Sequence, residues 1–267
     1  MHLPETIEPV MTAMPVKAVL FDLDDTLWSV VPVIIRAEQE LFDWLEQHVP
    51  GVAASWTIDS MRARRMELMK QTPRYAIDLN GLRHAVLCEA LLASGEDPGA
   101  AQHAMQVFIK ARNAVTPFDD VLPVLERLRA GAQVRLGVLT NGTADLQAIG
   151  MAHYFDVVIA AHQFGRAKPD PAIFLAACRQ LGLAPAQVVY VGDDPALDVE
   201  GAKNAGLQTV WMRRADLPSV RSMPEHIVPD AVCATLHELE AWLGQRIMVA
   251  APLASRIDRS GPADRTN

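Results

Sequence analysis

Five short, almost unbroken apolar runs recur along this chain and limit its fold more than any other feature. They occupy residues 17–23 (KAVLFDL), 134–139 (VRLGVL), 157–161 (VVIAA), 188–191 (VVYV) and 209–212 (TVWM). A strand with one wet face alternates apolar and polar residues, whereas a continuous run marks a strand covered on both faces of a parallel sheet. Helix-patterned stretches at 143–151, 170–182 and 198–206 separate the later runs. Parallel neighbours need crossover connections, and such crossovers are right-handed, so the pattern predicts a doubly wound parallel α/β sheet.

The rhythm breaks once, between the first and second runs, where residues 29–130 carry no strand signal. Four amphipathic helices are expected there, at about 32–48, 58–71, 80–94 and 98–114, punctuated by Pro50-Gly51, Thr72-Pro73, Gly95 and Pro117. A fifth, at 119–130, leads back to the sheet, and a last one is expected at 236–247. At 267 residues the chain is long for one small domain. The expected organisation is an irregular leader at 1–15, a core at 16–28 and 117–249, a helical cap inserted at 29–116, and a disordered tail at 250–267.

Half of the residues are hydrophobic and 21% are charged, a globular mixture with enough apolar surface for a sizeable core. Twenty-four basic residues against 32 acidic ones leave a net charge of -8, with no basic stripe, which argues against a nucleic-acid partner. A chain this acidic that handles an anion must supply positive charge locally. Cys88, Cys178 and Cys233 lack metal-ligand spacing and read as reduced core residues. No signal peptide and no apolar run long enough for a membrane span are visible, so a cytoplasmic protein is expected. No pattern fixes an oligomeric state.

Ligands of open α/β sheets bind at the carboxyl ends of the strands, and polar residues gather at those ends here. The first run ends in Asp22-Leu23-Asp24-Asp25-Thr26, and alternation puts Asp22 and Asp24 on the same side of an extended segment. Two carboxylates so close repel unless a cation lies between them. The second run ends in Thr140-Asn141-Gly142, a turn whose backbone N–H groups can face a phosphate. Lys168 follows the third run within Gly165-Arg166-Ala167-Lys168-Pro169-Asp170-Pro171, and Gly192-Asp193-Asp194 with Asp198 follows the fourth. Singly, each has a plain structural reading: an Asp-rich turn, a helix cap, a solvated lysine. Their conjunction, each after a successive strand, is what points to a phosphate-handling site.

With these residues the chain resembles the haloacid dehalogenase-like hydrolase superfamily over about residues 17–243. The resemblance implies a Rossmann-like core with a small helical cap, and a magnesium-dependent phosphatase that forms an aspartyl phosphate. It implies Asp22 as nucleophile, Asp24 as general acid and base, Thr140 and Asn141 at the phosphate, and Lys168 as the charge-balancing cation. Magnesium would be held by the side chains of Asp22 and Asp193 and the backbone carbonyl of Asp24, with Thr26, Asp194 and Asp198 in support. Trp28 falls at the family's mobile turn into the cap.

The segments 21–27 (FDLDDTL), 32–38 (PVIIRAE), 165–169 and 191–194, with Asp198-Val199, Gly201, Ala202, Gly206 and Trp211, resemble bacterial phosphatases of the ribitylaminouracil intermediate of riboflavin synthesis. Such enzymes are similar to many sugar-phosphate and nucleotide phosphatases, so a sugar phosphate or a nucleotide is also an admissible substrate. Competing readings are a phosphomutase, which shares the motifs, and a dehalogenase, which lacks the second aspartate and needs no metal. More remote are a phospho-accepting receiver module, which has no large insertion after the first strand, and an inactive binding descendant. Candidate cap residues with phosphate-sugar or ring-binding chemistry include Arg36, Arg62, Arg65, Arg74, Tyr75 and His84, set against the plain reading of most of them as solvated helix faces.

Overall fold

The computed structural model describes residues 15–131, 133–215, 217 and 221–247. The expected tail at 250–267, and the expected leader except residue 15, lie outside the described residues.

Strand β1 (Ala18–Phe21) is followed by helices α1 (Val30–His48), α2 (Pro50–Ser55), α3 (Ile58–Gln71), α4 (Leu79–Ala93), α5 (Ala100–Asn113) and α6 (Val121–Ala130). The chain then alternates: β2 (Arg135–Thr140), α7 (Leu146–Ile149), β3 (Val157–Ala160), α8 (Ala161–Phe164), α9 (Pro171–Leu181), β4 (Val188–Gly192), α10 (Gly201–Asn204) and β5 (Gln208–Met212). Strand β6 (Ala231–Cys233) and helix α11 (Leu236–Ile247) complete it. All six strands are parallel, in the order β3-β2-β1-β4-β5-β6. The chain leaves β1 on one side and returns on the other, so the crevice between β1 and β4 is the switch point where such sheets bind ligands.

The continuity of the apolar runs has its expected cause. Val19 and Phe21 of β1 pack with Val121, Val124 and Leu125 of α6 and with Leu236, Leu239 and Leu243 of α11. Ala18 and Leu20, on the opposite face, pack with Ile173, Phe174 and Ala177 of α9 and Ala202 of α10. Helices α1 to α5 close a separate apolar core that includes Leu41, Leu45, Val86, Leu91 and Phe108.

Three local readings change. Pro50-Gly51, expected as a break, opens α2, because proline at the first helical position needs no N–H partner. The helix expected at 198–206 is a π-turn over Pro195–Glu200 that runs into α10. The edge strand β6 was not anticipated; three residues are too few to carry a periodicity.

A buried arginine ties the loops at the carboxyl edge together. Arg214 donates to the carbonyl of Thr26 from Nε at 3.1 Å and Nη2 at 2.9 Å, and its Nη1 reaches Asp120 Oδ2 at 2.7 Å. Its guanidinium also lies over the Phe118 ring, 4.4 Å from the centroid. Removing one member of a buried ion pair strands the other, so Arg214→Met should cost about 3–5 kcal/mol in urea denaturation. The double variant Arg214→Met/Asp120→Leu, which strands no charge, should lose clearly less.

Candidate active site

Asp22 follows β1 directly, Thr140 is the last residue of β2, and Gly192 closes β4 with Asp193 and Asp194 after it. Asp25 then turns the chain sharply with φ of 59°, a left-handed conformation that aspartate tolerates better than most side chains. The turn is fixed by Asp25 N donating to the Trp28 carbonyl at 2.7 Å and by Asp25 Oδ1 accepting from Val30 N at 2.9 Å. It returns the indole of Trp28 to Asp24, where Nε1 donates to Oδ1 at 2.9 Å.

Lys168 is the centre of the arrangement. Its buried ammonium donates to Asp22 Oδ1 at 2.6 Å, Asp198 Oδ1 at 2.6 Å and the Tyr190 hydroxyl at 2.9 Å. The Tyr190 hydroxyl in turn donates a hydrogen bond to the Leu139 carbonyl at 2.9 Å. The backbone of Lys168 is clamped by Asn141, whose Oδ1 accepts from Lys168 N at 2.9 Å and whose Nδ2 donates to Lys168 O at 3.0 Å. Asp198 uses both oxygens inside the protein, since Oδ2 accepts from Asp194 N at 2.9 Å. Gly192 makes this approach possible: a Cβ there would lie 2.3 Å from Asp198 Oδ2.

Asp193 is steadied through Trp211 Nε1, which donates to its backbone carbonyl at 2.8 Å, while the Thr26 hydroxyl lies 3.5 Å from its Oδ1. Asp194 caps the following turn by accepting from Ala196 N and Leu197 N, and pairs with Arg221. Asp22, Asp24, Thr140, Asn141, Lys168, Asp193, Asp194 and Asp198 thus line one pocket of about 250 Å³. Thr26 stands behind it.

Carboxylate oxygens of Asp22, Asp193 and Asp198 lie within 4.8 Å of one another. Three carboxylates against one ammonium leave negative charge in excess. Burial pushes the Asp22 carboxyl up to about 7, against the pull of Lys168 and with the help of Asp198. Burial, Asp22 and Asp198 push Asp193 up to about 8. For Lys168 burial alone would lower the pKa, but Asp198 and Asp22 outweigh it and hold the ammonium well above its ordinary value. The cluster offers only hard oxygen donors and an unbalanced charge, which fits a divalent cation of the magnesium type.

Residues 16–206 match the haloacid dehalogenase-like hydrolase family. The chain belongs to that family. Curated relatives include the 5-amino-6-(5-phospho-D-ribitylamino)uracil phosphatase YigB of Escherichia coli, 28% identical over 85% of this chain and 96% of its own. The glyceraldehyde 3-phosphate phosphatase of Methanopyrus kandleri is 30% identical over 80% of this chain and 91% of its own. A solved structure described as a 2-haloacid dehalogenase from Pseudomonas syringae pv. Tomato superposes with a TM-score of 0.78 at 36% identity, covering 86% of this chain and 99% of that one. The resemblance read from the motifs therefore holds at the level of family and fold, and this member is a hydrolase whose curated relatives are phosphatases of small phosphorylated metabolites.

Sequence reasoning missed two polar side chains that touch the motif carboxylates or their lysine. Tyr190 is the sole polar side chain in the run 188–191, and a hydroxyl inside a strand buried on both faces needs a partner. Arg112 pairs with Asp24 from α5, and its signal was an arginine one turn beyond the buried Phe108 on the same helix face. The expected cap candidates lie elsewhere. Arg62 and Arg65 pair with buried Glu38, Arg36 holds the carbonyls of Ala111 and Ala114, and Arg74 donates to the hydroxyl of Tyr75. The His84 ring lies beside Cys88 Sγ at 3.7 Å. Among the described residues, Val30 and Leu79 are the pocket's lining from α1 and α4. No described helix is long and apolar enough to cross a membrane.

Carboxyls raised on folding bind more protons in the native than in the unfolded state between their two pKa values. The contribution of Asp22 and Asp193 to stability is therefore full below the ordinary carboxyl value of 3.8 and lost as pH rises through about 7 and about 8. In chelator, the urea midpoint of Asp193→Asn should exceed that of the parent at pH 8, and the difference should shrink as pH falls toward about 4. Added magnesium should raise the parent's midpoint at pH 8 and that of the variant much less.

Proposed function

We propose that the protein is a magnesium-dependent phosphomonoester hydrolase that works through an aspartyl phosphate on Asp22. The observation that carries this reading is Lys168, buried and shared between Asp22 and Asp198 beside an acidic cluster that fits a cation. A carboxylate attacks a phosphate dianion only where positive charge neutralises the phosphoryl oxygens. Lys168 supplies part of that charge and keeps one Asp22 oxygen oriented. Asp22 and Asp193 side chains, with the Asp24 carbonyl, would hold magnesium, which when bound supplies the remaining charge compensation at the phosphoryl group.

The phosphate lies against the Thr140 hydroxyl and Asn141, the latter through its backbone because its side chain is engaged with Lys168. An Asp22 oxygen forms the bond to phosphorus as the ester oxygen leaves, and Asp24 gives that oxygen a proton. In the second step Asp24 takes a proton from water as its oxygen bonds to phosphorus and Asp22 is released. Thr26 and Asp194 support the loops, and Asp198 balances Lys168.

The substrate class we favour is a small phosphorylated metabolite with an alkyl phosphate. Its leading member is 5-amino-6-(5-phospho-D-ribitylamino)uracil, followed by sugar phosphates and nucleotides; support comes from the named activities of the curated relatives. A dehalogenase is the second reading, favoured by the 36% identity to a structure of that description. Halide leaves without a proton, so that chemistry has no use for the carboxylate of Asp24 or for a cation-binding cluster. A phosphomutase would return the phosphoryl group to its sugar, and released inorganic phosphate separates it from a hydrolase.

Phosphate release should appear across a panel of phosphorylated metabolites with magnesium, vanish in chelator, and return on adding magnesium; chloride release from 2-chloropropionate without any phosphatase activity would overturn the reading. Asp24→Asn should slow alkyl phosphates by about a hundredfold or more and aryl phosphates less in the first turnover. With an aryl phosphate it should give a burst of at most one equivalent of phenol followed by a slow steady rate. Equal slowing of both classes with no burst would remove Asp24 from proton transfer.

A further inference from the structure

Arg112 stands in the last turn of α5 and is 3% exposed, yet it belongs to the inserted helices and not to the sheet that carries the motif residues. Its Nη2 lies 2.7 Å from both Oδ1 and Oδ2 of Asp24. Trp28 Nε1 grips Oδ1 from the other side at 2.9 Å. The turn that holds Arg112 is itself fastened, because Arg36 of α1 donates to the carbonyls of Ala111 and Ala114 on either side of it.

A second observation comes from the loop after β2. A Cβ on Gly142 would fall 2.7 Å from Asp24 Oδ2, 3.2 Å from Thr140 Oγ1 and 3.6 Å from Arg112 Nη2. The phosphate-side loop therefore closes against the ion pair, and only a residue without a side chain leaves space for it. A third is the cost of the arrangement: Arg112 Nη1 is buried with no hydrogen-bond partner. An apolar side chain would occupy the same volume without an orphan donor, so packing does not explain the guanidinium.

We propose that Arg112 is the positioning residue for Asp24, and that it makes proton transfer depend on the inserted helices being docked against the sheet. This rests on the reading of Asp24 as acid and base. A single nitrogen reaching both oxygens keeps the carboxyl oriented whichever oxygen carries the proton. When the insert moves away, Asp24 retains the Trp28 contact on one oxygen and is free to turn, so the proton no longer meets the leaving oxygen. Attack by Asp22 depends on Lys168 instead and is left largely intact.

The test uses the full chain with magnesium and compares Arg112→Met and Arg112→Lys with the parent, alone and in the Asp24→Asn background. Arg112→Met should lower kcat for alkyl phosphates by about a hundredfold, the scale expected when a reacting group is misplaced by about an ångström. KM should stay within about threefold, since no substrate contact is removed. With an aryl phosphate the variant should retain a burst of phenol ahead of a slowed steady rate, and Arg112→Lys should recover part of the loss. In the Asp24→Asn background neither substitution should slow the reaction further. If Arg112→Met does not fold, Arg112→Lys carries the same expectation of a burst with reduced amplitude of loss. Equal loss on alkyl and aryl phosphates with no burst, or full additivity with Asp24→Asn, would overturn the proposal. Failure of the underlying reading would show separately, in Asp24→Asn itself.

Discussion

The whole carboxyl edge of the sheet is organised around one buried ammonium. Lys168 arrives after β3, yet its charge is used by Asp22 after β1 and Asp198 after β4, and its backbone is held by Asn141 after β2. Strands β2, β1 and β4 are neighbours, so their ends converge on the space into which this lysine points. Taking an ammonium out of water is costly unless its donors are met, and here three acceptors meet them. The position of each loop is thereby a condition on the others. Moving any one of them would leave a charge buried without its partner.

That interdependence explains why so much was legible in the sequence. Residues that must converge on one point appear at the ends of successive apolar runs, and the runs are continuous because both faces of the sheet are covered. Asp22, Lys168 and Asp193 could be found from order alone. Tyr190 could not, because its hydroxyl hides inside a strand whose pattern signals only burial. Arg112 escaped for a different reason: its partner is 88 residues away and on another layer, and helix periodicity says that it is buried without saying against what. The arginines of the insert that looked available, Arg62 and Arg65, turn inward to Glu38, a tertiary choice that no local pattern records.

On the proposed mechanism, chemical identity within the family turns on Asp24 more than on overall similarity. The relative with the highest structural agreement named above is described as a dehalogenase, while the curated relatives are phosphatases at lower identity. Fold and identity rank these neighbours one way, and the requirement for a proton on an alkoxide ranks them the other. In this chain the second carboxylate is gripped by an indole and a guanidinium, a level of support that a spectator side chain has no need of.

Helices α1 to α5 own a complete apolar core, and the chain enters and leaves them through two short segments, 22–29 and 114–120. Such a module can drift in sequence under its own rules of packing without loosening the sheet beneath it. Selection for a new organic moiety can therefore act on one half of the molecule while the reactive half is held constant. One tether between the halves that such drift must respect is the Arg112–Asp24 pair, and a lineage that lost it would be expected to rebuild the same grip from another helix.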